Sequence, residues 1–171
     1  NSLFYHRAAA VIFFLFVVIL PFPIFCAWVD ADGTGRENIN IFPTDMEAGD
    51  PDIAIDAGGY PHIAWFEHTG TNYDIYYIKW NGSGWVDADG AGLESARITF
   101  TSGDSLFPNI AIDSAGRPHI AWQESSGIGG EIFYCKWNGL NWVKADGVPG
   151  FDNVSASLTV NSAHPFMVLD A

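Results

Sequence analysis

The chain has 171 residues, is 49% hydrophobic and 15% aromatic with seven Trp, and is only 16% charged. That composition supports a packed core and excludes an intrinsically disordered chain. Its 20 acidic and 7 basic residues give a formal charge of −13, which excludes a nucleic-acid binder, because such a protein needs a basic surface to displace counterions from phosphates.

The first predicted element is an export segment. His6 and Arg7 precede an apolar stretch over residues 8–20, followed by Pro21, Pro23, Cys26 and Ala27. A short positive region, an apolar core, a break and a small residue are the order of a secretory signal peptide, here cleaved after Ala27. Residues 8–27 are also long enough to span a bilayer as an uncleaved membrane anchor. Cys26 offers a lipoprotein attachment point, although Phe25 is larger than the small residue that motif places before its Cys. All three readings put the remainder outside the cytoplasm, secreted or on the cell surface, touching a membrane only through residues 1–27.

A repeat organises the rest. Trp28-Val29-Asp30-Ala31-Asp32-Gly33 returns 57 residues later as Trp85-Val86-Asp87-Ala88-Asp89-Gly90, and again as Trp142-Val143-Lys144-Ala145-Asp146-Gly147. Pro51-Asp52-Ile53-Ala54-Ile55-Asp56 matches Pro108-Asn109-Ile110-Ala111-Ile112-Asp113, and the third copy reaches Pro165-Phe166-Met167-Val168-Leu169-Asp170. Counted from Trp28, the units are 28–84, 85–141 and a partial 142–171.

Each unit reads as four short strands. In the first they are 53–56, 61–67 and 74–80, with the fourth supplied by Trp85-Val86 or by 96–100. Gly58-Gly59 and Asn81-Gly82 mark the turns. Ile63 and Trp65 lie on one face of the second strand and Ala64 and Phe66 on the other. A strand that is apolar on both faces belongs to a sheet covered on both sides, as in radially stacked propeller blades. The expected fold class is therefore all-β, with four-stranded antiparallel β-propeller blades behind a hydrophobic signal helix. A ring needs at least about four blades, so the chain is expected to be a fragment of an incomplete ring. Its outer faces would leave Ile53, Ile63, Trp65 and Tyr77 uncovered. Cys135 stands where Ile78 does and is expected to be a small buried hydrophobe, with no disulfide framework.

The runs Ile110-Ala111-Ile112-Asp113 and Pro118-His119-Ile120-Ala121-Trp122, followed by Phe133-Tyr134-Cys135-Lys136-Trp137-Asn138-Gly139, resemble the repeats of exported bacterial propeller proteins, which are grouped loosely with the sialidase-like, Asp-box (BNR) superfamily. The resemblance covers Trp28 to the end. It implies a binding or adhesion module for a glycan or an extracellular protein. The alternatives it leaves are part of a glycan-processing enzyme whose catalytic residues lie elsewhere, or a purely structural surface repeat. The Asp-box has Asp, one residue and Gly, whereas Asp56 and Gly59 are three apart. Sialidase chemistry needs three arginines gripping a carboxylate, and Arg36, Arg97 and Arg117 do not recur with the repeat.

Asp30, Asp32, Asp87 and Asp89 are the candidate metal ligands. Alternating carboxylates before Gly let several oxygens meet one Ca²⁺, although Lys144 replaces the first Asp in the third copy; the other reading is an exposed Asp-Gly turn. His62 and His119 each stand alone after Pro at a strand start, and their recurrence points to a hydrogen bond that pins the hairpin, to Asp56 and Asp113. Trp28, Trp65, Trp80 and Trp85, with the copies Trp122 and Trp137, are read as inter-blade core, with sugar stacking as the functional alternative. No catalytic residue or organic cofactor is read from the sequence.

Overall fold

The computed structural model of the protein describes residues 46–94, 96–125, 129–156 and 161–170. The expected export segment, Trp28, Asp30, Asp32 and Arg36 lie outside these residues. Among the described residues all regular structure is antiparallel β. β1 (Ala48–Ile55), β2 (Pro61–His68), β3 (Tyr73–Trp80) and β4 (Trp85–Val86) form a first sheet in that order. β5 (Ser105–Ile112), β6 (Pro118–Ser125), β7 (Gly130–Trp137) and β8 (Trp142–Val143) form the second, with β9 (Asp152–Asn153) also paired to β7.

The local chemistry recurs with the period. At the β1–β2 turn the Asp56 Oδ1 accepts the N–H groups of Gly58 and Tyr60 at 2.8 and 2.9 Å. Asp113 does the same for Ala115 and Arg117, both at 2.9 Å. Gly59 and Gly116 take φ of 83° and 75°, where a side chain would be strained.

Three details differ from the sequence reading. β1 begins at Ala48 rather than at residue 53, because a bulge between Gly49 and Asp52 lets Pro51 sit in the strand without breaking the ladder. The first sheet closes on β4, so a unit counted from Trp28 cuts through a sheet; a repeat has no intrinsic starting point. The outer position is shared by both segments considered for it. β4 pairs with Lys79 and Trp80, while further along β3 the Tyr77 N–H donates to the Ala96 carbonyl and the Ile98 N–H to the Ile75 carbonyl, at 2.8 and 2.7 Å. In the second sheet Val154 donates to the Ile132 carbonyl. A full period from Ile98 would put residue 155 there, so the connection is one residue shorter and the outer register has slipped by one.

The two sheets are held together by a contact that itself repeats. The Asp52 Oδ2 accepts from the Asn109 Nδ2 at 2.7 Å and from the Ile110 N–H at 2.8 Å. One period on, the Asn109 Oδ1 accepts from the N–H of Met167, the counterpart of Ile110, at 2.6 Å. Residues 165–170 therefore stand to β5 as β5 stands to β1.

Identical residues in the two units show which faces are covered. Ile53 is 59% exposed, whereas Ile110, its counterpart, is 5% exposed. Trp65 and Ile63 are half-buried; Trp122 and Ile120 are completely enclosed. The first sheet covers that face of the second, and no described residues cover it on the first. Tyr77, expected on the uncovered face, is only 1% exposed. Antiparallel partners share a face, and Tyr77 pairs with Ala64 rather than Trp65, so it points into the second sheet and meets Trp142 edge to face at 5.5 Å. The core between the sheets gathers Ala64, Ile75 and Tyr77 against Ile110, Ile120 and Trp122.

Candidate functional site

His62 lies at the start of β2, and its Nδ1 is 2.6 Å from the Tyr77 hydroxyl. Its Nε2 is 3.5 Å from the Asp56 Oδ2. His119 repeats the pattern with Tyr134 at 2.7 Å and Asp113 at 3.6 Å. Burial pushes both imidazoles below the ordinary histidine range, against the opposing pull of Asp56 and Asp113. Burial would raise Asp113, but the Arg117 guanidinium and the N–H groups of Arg117 and Ala115 bring it down to about 2. With His62 and Tyr77 both sealed inside, a substrate has no path to the first copy of this Asp–His–Tyr group. The group ties a turn to two strands.

Among the described tryptophans Trp122 is fully packed, whereas Trp65 lies half-buried on the uncovered face of the first sheet. Trp122 stands edge-on to Phe151 at 5.1 Å and stacks near Phe133 at 5.9 Å, and its N–H donates to Glu124 at 3.2 Å. Trp65 makes the same bond to Glu67 at 3.1 Å. Trp80 and Trp85 form an edge-to-face pair at 5.7 Å, repeated by Trp137 and Trp142 at 5.5 Å. The buried Trp85 N–H has no hydrogen-bond partner among the described residues. The two arginines among the described residues are engaged too: Arg97 pairs with the buried Asp74, and Arg117 with Asp113 at 2.7 Å. Cys135 is fully buried, and burial pushes its thiol up, so it is no nucleophile.

Asp87 and Asp89 sit in the turn after β4. The buried Asp87 accepts the Asp89 N–H on Oδ1 at 3.2 Å, and the Asp89 Oδ1 accepts the Ala91 N–H at 2.8 Å. The Asp87 side chain and the Ala91 N–H lower the Asp89 carboxyl below its usual range. The Lys79 ammonium donates to the Ala88 carbonyl at 3.3 Å, and Lys136 repeats this on Ala145 at 2.8 Å. No group of three or more His, Cys, Asp and Glu side chains gathers here or elsewhere among the described residues.

Another feature was missed by sequence reasoning. Asp50, Phe107 and His164 have φ of 44°, 53° and 50°, one at the bulge position of each unit and each followed by Pro. Left-handed backbone costs a non-glycine residue roughly 1–2 kcal/mol, yet three unrelated side chains accept it at one period. Asp50 and Phe107 fall inside the bulges of β1 and β5, and His164 takes the same conformation one period on with no described partner strand, so the position accepts different side chains. These residues line a concavity of about 350 Å³ together with Asp52, Asn109 and Pro165. The Phe107 and His164 rings approach to 4.2 Å, while Asp52 and Asn109 are occupied in the contact between units. The only sequence signal was the Pro that follows each bulge residue.

No family model matches the chain, and neither does any curated protein. Among solved structures, a fucose lectin from Kordia zhangzhouensis in complex with methyl-fucoside is similar at 20% identity and a TM-score of 0.33, over 56% of this chain. The chain spans 61% of that lectin's length.

Proposed function

We propose that this chain is an extracytoplasmic repeat module of β-propeller type, exported behind residues 1–27, that binds a glycan at the concavity lined by Asp50, Phe107 and His164. The observation that carries the reading is the constant left-handed backbone at these three positions combined with their differing side chains. Strained backbone that persists in every unit marks a place held in shape by its surroundings. A fixed frame with exchangeable side chains is suited to recognition.

The concavity measures about 350 Å³, within the range of small-molecule sites and large enough for one sugar ring. Asp50 supplies carboxylate oxygens for hydroxyl groups, and the exposed His164 supplies a ring face for the C–H side of a pyranose. The chain's formal charge of −13 favours a neutral or cationic ligand over an acidic one.

A glycan array probed with the labelled chain tests this. Asp50→Ala and His164→Ala are each expected to abolish the bound signal while leaving the circular dichroism unchanged. Undiminished binding by both variants would remove the concavity as the binding surface. Binding to a protein partner alone would replace the glycan.

A further inference from the structure

The β3–β4 and β7–β8 turns carry the same dipeptide, Asn81-Gly82 and Asn138-Gly139. In an Asn-Gly pair a side-chain amide stands next to the least shielded main-chain nitrogen, because glycine places no side chain beside its own N–H. Both pairs are exposed to water. In each turn the Asn N–H closes the loop, onto the Gly84 carbonyl or the Asn141 carbonyl, both at 3.1 Å. The Asn Oδ1 accepts N–H groups further along. They are Ser83 and Gly84 at 2.9 and 3.0 Å in the first turn, and Leu140 and Asn141 at 2.9 and 2.8 Å in the second.

What surrounds the two dipeptides differs. The Asn81 Oδ1 also accepts the Ser83 hydroxyl at 2.9 Å, whereas Leu140, at the equivalent position, has no hydroxyl to offer. The Tyr60 ring lies against the first turn: a methyl group built on Gly82 would meet its hydroxyl at 3.1 Å. One built on Gly139 would meet nothing within 4 Å. The counterpart of Tyr60 is Arg117, whose guanidinium is held by Asp113 at 2.7 Å.

We propose that Asn138 is a site of spontaneous deamidation and isomerisation, and that the fold protects Asn81 from the same reaction. The Gly139 main-chain nitrogen attacks the Asn138 Cγ and a C–N bond forms. The side-chain nitrogen leaves as ammonia, taking up the proton lost from the Gly139 N–H, and a cyclic imide closes. Water then opens either imide carbonyl, giving an aspartyl side chain or an isoaspartyl linkage in which the main chain runs through Cγ. To reach the nitrogen the side chain must first leave its turn bonds. At Asn81 that motion breaks an additional hydrogen bond and is hemmed in by Tyr60; at Asn138 neither restraint exists. An isoaspartyl linkage lengthens the turn by a carbon atom. β8 is paired to β7 only through Lys136 with Val143 and Trp137 with Trp142, and Trp142 meets Tyr77 of the first sheet. Modification at Asn138 therefore loosens β8 and reaches the core between the sheets.

The test is to hold the full chain folded in mildly alkaline buffer, digest samples over time and map the peptides by mass spectrometry, with the isoaspartyl form resolved by chromatography. Asn138 should convert about fivefold faster than Asn81 or more, the factor that one hydrogen bond in the barrier supplies. Unfolded in urea, the two sites should convert at similar rates, since only the shared dipeptide remains. Tyr60→Ala should speed conversion at Asn81 in the folded chain and leave Asn138 unchanged. In the converted fraction the β8 amides should exchange with solvent faster than in the unconverted chain. Conversion at Asn81 as fast as at Asn138 would overturn the proposal. So would an intact Asn138 over the time in which the unfolded chain converts there, or the same ratio of rates in urea. Unchanged β8 exchange in the converted fraction would overturn the loosening of the strand.

Discussion

Ile53 and Ile110 allow a test in which sequence context is nearly constant and burial is not. Fully burying an Ile side chain is worth about 1.5–3 kcal/mol in transfer free energy, and truncation to Ala inside a core costs about 2–5 kcal/mol once the cavity is included. Ile110, at 5% exposed, should fall in that range. Ile53, at 59% exposed, has less than half its surface withdrawn from water and leaves no closed cavity, so Ile53→Ala should cost under about 1 kcal/mol. Against a total stability of roughly 5–15 kcal/mol, the gap is readily measured by urea unfolding followed by circular dichroism. The comparison should be made at a concentration where sedimentation shows a monomer, and with m-values checked for constancy. Equal costs for the two variants, within about 0.5 kcal/mol, would mean that the first sheet's outer face is covered in solution and that the assignment of faces is wrong.

Acid should destabilise the fold in two stages. His62 and His119 have folded pKa values below the unfolded value, so the unfolded chain takes up more protons as pH falls through about 6.5, and stability drops in that window. Asp56 and Asp113, lowered in the fold, add a second loss as pH falls below about 4. Thermal melts from pH 7.5 to 5 should flatten when both histidines are replaced by Gln, and an unchanged slope would refute the assignment. In the turn after β4, Asp87→Ala is expected to lower Tm equally with and without millimolar Ca²⁺, because the Asp87 carboxylate accepts the Asp89 N–H. A Ca²⁺-dependent rise in Tm that this substitution removes would instead establish a cation site there.

The repeat made much of the architecture legible. Gly59 and Gly116, the Asx turns at Asp56 and Asp113, and the doubly apolar β2 and β6 each carry a local signal that needs no tertiary information. Pairing decided the rest. Tyr77 was assigned to the wrong face because its side depends on the register with Ala64, which no pattern inside β3 reveals. The hydrogen bond of Asp52 to the next unit was invisible for a related reason: its partners lie 57 and 58 residues away. The bulge residues were harder still, since Asp50, Phe107 and His164 share a conformation but no chemistry. Asp87 and Asp89 carry the spacing of a calcium loop, but that spacing does not reveal that Asp87 is buried while Asp89 faces solvent.

The slipped outer register has a consequence for how such a chain can grow. The inner three strands of each unit are locked at constant length, because the Asp52 contact, the bulge and both turns must all return in phase. The connection after β4 differs by one residue between units, yet β9 still finds β7 by moving along it. Length drift is thus absorbed at the periphery, where Asp89 and Gly90 face solvent. Natural insertions, or a grafted loop or tag, would be accommodated there with the least disturbance to the stack, whereas a single residue added inside β1 or β2 would turn the side chains beyond it to the other face of the sheet.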